Sequence, residues 1–76
     1  MSDRLPRIEG RVLVRVLKKS GFAEVRWRGS HLHLYRASDK KNVIVPVHAG
    51  EILAPGTLAG ILKDAALSAD QLRRLQ

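Results

Sequence analysis

Seventy-six residues carrying 14 Lys and Arg against 7 Asp and Glu, a formal net charge of +7, make one small basic domain. A chain this short buries only ~60% of the surface its unfolded form exposes, and without a cysteine it has neither disulfides nor thiolate metal sites. Positive charge spread along the whole chain points to an anionic partner, nucleic acid ahead of a membrane surface, and no stretch is long and apolar enough to span a bilayer.

Residues 1–9 are polar, contain Pro6 and read as a flexible arm; no apolar run follows their charges, so no secretory leader is expected there. Residues 10–76 read as a single domain. Over 11–20, Val12, Val14 and Val16 alternate as in a strand, while Val12, Leu13, Val16 and Leu17 form a helical stripe. The ending selects the helix, because Lys18 and Lys19 suit a last turn and Gly21 suits the position after the cap. A first strand is predicted over 22–28, with Val25 and Trp27 inward, and a second over 31–36. Gly29-Ser30 joins them, since glycine takes the positive φ that a two-residue hairpin turn requires.

Alternation places Trp27, Leu32 and Leu34 on one face and Arg26, Arg28, His31, His33 and Tyr35 on the other. After a polar loop at 37–42 with Asp39, Lys40 and Lys41, a third strand is predicted over 43–47. Its Pro46 cannot donate a ladder hydrogen bond, which puts this strand at an edge. A helix starts near Pro55, with Leu58, Ile61, Leu62 and Ala65 as its stripe, and Gly60 within it is expected to mark a close contact. Ser68 and Gln71 have capping-box spacing, and Leu67 and Leu72 the spacing of its hydrophobic staple, so a short last helix is predicted over 69–75. The fold class is therefore α+β: an α-β-β-β-α order, a three-stranded antiparallel sheet with helices on one face, and a short C-terminal helix. Double-stranded-RNA-binding domains share this layout.

Four pieces in register now carry a family resemblance: Leu17-Lys18-Lys19-Ser20-Gly21-Phe22, Arg28-Gly29-Ser30-His31, Val45-Pro46-Val47-His48, and Pro55-Gly56-Thr57-Leu58 running into Ile61-Leu62. Together they resemble the HicA toxins of HicA–HicB toxin–antitoxin modules, also called the YcfA-like family. The resemblance implies a double-stranded-RNA-binding-like fold, metal-independent endoribonuclease activity on mRNA, a cognate HicB-like antitoxin that masks the active face, and no cofactor. It implies one catalytic histidine, His31. The chain departs from many relatives at Leu32, where a second histidine often stands, and at Ala66, where glycine is frequent.

RNA carries its own nucleophile, the 2′-hydroxyl, and needs a base for that proton and an acid for the leaving 5′-oxygen. Imidazole suits either role, with an unperturbed pKa near 6.5. Parity places Arg26 and Arg28 beside His31, where they would stabilise developing phosphate charge, and Arg36 on the opposite face. Expected RNA contacts are Arg26, Arg28, His33, Tyr35, Lys40 and Lys41. His33 and His48 both remain open for the second proton-transfer role. Two rival uses of the same residues are weaker. A zinc site of His31 and His33 with His48 or Glu51 lacks carboxylate surroundings, and Ser30 as nucleophile has no nearby Asp in sequence. The alternative function is a noncatalytic RNA-binding module using the same basic face. Cysteine-free composition fits a reducing compartment, the cytoplasm.

Overall fold

A computed structural model describes residues 5–76, which form α1 (Gly10–Lys19), β1 (Ala23–Arg28), β2 (His31–Arg36), β3 (Lys41–Pro46), α2 (Pro55–Ala65) and α3 (Ala69–Leu75). The sheet is antiparallel in the order β1-β2-β3, so the hairpins implied by the short loops are the ones that form. The predicted α+β order and sheet are therefore those of the protein.

In α1 the buried positions are Gly10, Leu13, Val14, Val16 and Leu17, while Val12 is only partly covered. Its end is a Schellman motif: Gly21 N–H donates to the Lys18 carbonyl (3.1 Å) and Phe22 N–H to that of Leu17 (3.0 Å), with Gly21 at φ +99°. Phe22 then drops into the core. A Cβ at Gly10 would fall onto the Pro46 carbonyl oxygen, so α1 begins tight against the end of β3. The arm expected over 1–9 lies partly outside the described residues. Within it, Ile8 is 3% exposed, its carbonyl accepts from Leu53 N–H (2.9 Å), and Glu9 bridges Ile52.

Leu32 and Leu34 from β2, Val43 and Val45 from β3, and the stripes of α1 and α2 make the core. Both α1 and α2 pack on β3, and α3 adds Leu72. Pro46 lies on an outer strand, as its missing donor demands. One expectation is corrected. Val25 and Trp27 are not inward: they are 50% and 53% exposed. Trp27 pairs with Leu32 and so does share its face, but on that face the helices pack over β3 and leave β1 overhanging. Val25 falls in a register shift between Glu24 and Arg26, which leaves it without a partner.

The end of α2 repeats the Schellman pattern, with Leu67 N–H donating to the Leu62 carbonyl (2.9 Å), but the left-handed position is occupied by Ala66 at φ +56°. Gly60 was expected at a close contact, yet a Cβ there would meet nothing within 4 Å. Each residue type therefore sits in the wrong backbone. Ala66→Gly and Gly60→Ala are each expected to stabilise the fold by about 1 kcal/mol. Denaturant unfolding of the two variants and their double would measure this, and a loss of stability in either would contradict it. The capping box of α3 is complete: Gln71 N–H donates to Ser68 Oγ (3.1 Å) and Ser68 N–H to Gln71 Oε1 (2.8 Å).

Candidate functional site

Because β2 alternates, burying Leu32 and Leu34 turns His31, His33 and Tyr35 to the uncovered face. Register then decides their neighbours. Arg28 and Pro46 flank His31, Arg26 and Ile44 flank His33, and Ala23 and Asn42 flank Tyr35. Arg26, Arg28, His31, His33 and Ile44 line one open cleft of roughly 340 Å³. Ile44, 58% exposed, is its apolar wall. Sequence reasoning passed over Ile44, although the parity that buries Val43 and Val45 already puts it on this face.

The cations of this face are unpaired among the described residues, whereas Arg11, Lys18, Arg36 and Arg73 have carboxylate partners. Two guanidiniums beside two imidazoles in one cleft combine planar cationic forks suited to anionic oxygens with ring nitrogens able to accept or donate protons. His33 has a fixed arrangement. Its Nε2 lies 2.8 Å from Asn42 Oδ1, and since an amide oxygen only accepts, Nε2–H is the donor. His48 lies beyond the turn end of the cleft. Its Nε2 stands 3.3 Å from Ser30 Oγ, in hydrogen-bond contact, and its ring centroid 6.5 Å from that of His31 at an interplanar angle of 85°.

Not every expected contact converges here. Tyr35 is half-buried on the same face but outside the cleft lining. Lys40 and Lys41 sit at the opposite end of the sheet. Lys41 pairs with Arg36, five residues along β2 from His31, which is about 17 Å at strand rise. Among the described residues no three His, Cys, Asp or Glu side chains gather closely enough to hold a metal, so the zinc arrangement of His31, His33 and His48 or Glu51 is not assembled.

Arg36 faces the helices, as parity requires. Its Nη1–H donates to the Ser20 carbonyl (3.0 Å), Nη2–H to the Ala65 carbonyl (2.9 Å), and Nε–H and Nη2–H to the Asp39 carboxylate (2.9 and 2.8 Å). The guanidinium carbon lies 4.5 Å from the Phe22 ring centroid. The hydrogen bond from Arg36 holds the Asp39 carboxyl below its ordinary range and, reciprocally, raises the Arg36 pKa. This side chain is structural.

A family model described as the HicA toxin of bacterial toxin–antitoxin modules matches residues 10–67, from the start of α1 through the end of α2. Comparison with curated proteins gives no match.

Proposed function

The chain belongs to the HicA family of bacterial toxin–antitoxin toxins, and on that premise we propose that it is a metal-independent endoribonuclease that cleaves mRNA. Membership in such a family implies a cognate antitoxin as partner. The observation that supports the nuclease reading best is the cross-strand placement of Arg28 opposite His31 on an uncovered cationic face.

His31 acts in proton transfer on the ribose 2′-hydroxyl or the leaving 5′-oxygen. The guanidiniums of Arg28 and Arg26 take up the negative charge that grows on the non-bridging phosphate oxygens. The substrate brings the nucleophile, so no nucleophilic side chain is needed. Cleavage by this route leaves a 2′,3′-cyclic phosphate and a 5′-hydroxyl. Ile44 and Tyr35 offer apolar and aromatic surface to unstacked bases, and Lys40 in the loop meets the backbone further along the strand, whereas Lys41 pairs with Arg36 and shares its helix-covered face. An acidic antitoxin seated over Arg26, Arg28 and His31 excludes RNA and silences the enzyme. The site of action is the cytoplasm, where mRNA is translated; among the described residues no helix is long and apolar enough to cross a membrane.

Purified protein incubated with RNA in EDTA provides the test. Expected is cleavage with cyclic phosphate ends, together with binding that weakens with salt at a log–log slope of about −0.7 per phosphate contacted. Tight binding that leaves the RNA intact would instead identify a noncatalytic RNA-binding module.

A further inference from the structure

One imidazole cannot both accept the 2′-proton and deliver a proton to the 5′-oxygen in the same step. We propose that His48 is the second proton-transfer group, working as a pair with His31; this rests on the ribonuclease reading above.

Three observations select His48. First, its ring stands 6.5 Å from that of His31 and nearly perpendicular to it. Two rings at that separation reach different oxygens of one phosphate, each within the roughly 2.6–3.2 Å that proton transfer needs. Second, its backbone is pinned on both sides. Val47 N–H donates to the Ser30 carbonyl (2.8 Å), and Glu51 N–H donates to the His48 carbonyl (3.0 Å). Ser30 Oγ holds the ring itself through Nε2. Third, the rival is engaged elsewhere. His33 holds the shorter bond, Nε2–H to Asn42 Oδ1 at 2.8 Å against 3.3 Å for His48 to Ser30, and it sits between Arg26 and Ile44 and not beside Arg28. His33 therefore contributes to binding the strand.

The step balances without a co-reactant. One imidazole of the pair takes the 2′-O–H proton, and the freed electron pair forms the O2′–P bond. The P–O5′ bond breaks with its electrons on O5′, which takes a proton from the other, cationic imidazole. Solvent exchange then restores both rings. The charged or titratable neighbours of the pair are Arg28, across β1 from His31, and Glu51, which lines the small depression beside His48. Ser30 is a positioning residue.

Single-turnover cleavage of a short RNA by the full chain in EDTA, between about pH 5 and 9, tests the pair. Wild type is expected to show a bell-shaped profile. His48→Ala and His48→Gln should each lower the maximal rate about 10²–10⁴-fold and abolish one limb of the bell; the glutamine keeps a polar partner for Ser30, so the fold survives in at least that variant. Ser30→Ala should shift that same limb and leave the other in place. His33→Ala should raise KM and keep both limbs. If wild type cleaves, His31→Ala does not, and folded His48→Gln keeps both limbs at a rate within about tenfold of wild type, His48 is not the partner and the ribonuclease reading stands. Loss of a limb in His33→Ala would transfer the role to His33. Absence of cleavage by wild type would remove the ribonuclease reading and the pair with it.

Discussion

His31→Ala is expected to cleave RNA about 10²–10⁴-fold more slowly than wild type, the contribution of one positioned acid or base. Its fold should survive, because His31 lies exposed at the hairpin turn and no buried polar group depends on it. RNA affinity should also survive in large part, since Arg26 and Arg28 remain in the cleft and carry the charge. In cells the variant should no longer arrest growth when expressed without antitoxin. Initial rates in EDTA, a thermal melt and a binding isotherm on one preparation separate the three effects. A folded His31→Ala protein that cleaves at the wild-type rate would remove His31 from the chemistry.

The second large effect is on stability. Arg36→Ala is expected to cost about 3 kcal/mol, because it removes the charged donor from two helix-end carbonyls and leaves Asp39 alone. Ser20 caps α1 and Ala65 ends α2, so one guanidinium meets the negative ends of both helix dipoles while resting on Phe22. Its side chain is only 14% exposed, so water does not replace these bonds freely. A domain of this size rarely holds more than ~3–5 kcal/mol, and the melting midpoint should fall by more than about 10 °C. Arg36→Lys should recover little, since a single ammonium cannot serve three partners arranged for a fork. A loss under about 1 kcal/mol for Arg36→Ala would refute the clamp.

The same clamp gives stability an acid limb. The Asp39 carboxyl is lowered from its ordinary value chiefly by the hydrogen bond from Arg36; burial opposes this, and the charges of Arg36 and Lys41 add to the lowering. A carboxyl whose pKa is lower folded than unfolded contributes fully above the unfolded value, and the contribution is lost as pH falls through the folded one. Wild type should therefore lose this part of its stability below about pH 4, and Asp39→Asn should show a flatter acid limb.

Much of this architecture was legible in local pattern. Lys18, Lys19 and Gly21 ended a helix that its valines alone left undecided. Gly29-Ser30 set the hairpin, and alternation sorted Leu32 and Leu34 from His31 and His33. What alternation did not reveal was burial. Trp27 lies on the face that parity assigns it, yet stands in solvent because the helices cover β3 and not β1. Gly60 had no close neighbour, and the strained position turned out to be Ala66. Arg36 was assigned its face correctly, but its role was invisible, since its partners lie 16 and 29 positions away.

The contrast comes down to range. Period two along a strand, glycine at a positive φ and a capping box are properties of neighbouring residues, so the chain order specified the sheet, its turn and which side chains share the basic face. The approach of the His48 ring to His31 is not such a property. His48 is 18 positions from Ser30 and reaches it only because β3 runs back beside β2 and Val47 bonds to the turn. Packing of the whole chain brought the His48 ring to 6.5 Å from that of His31, and it also gathered two helix ends onto Arg36.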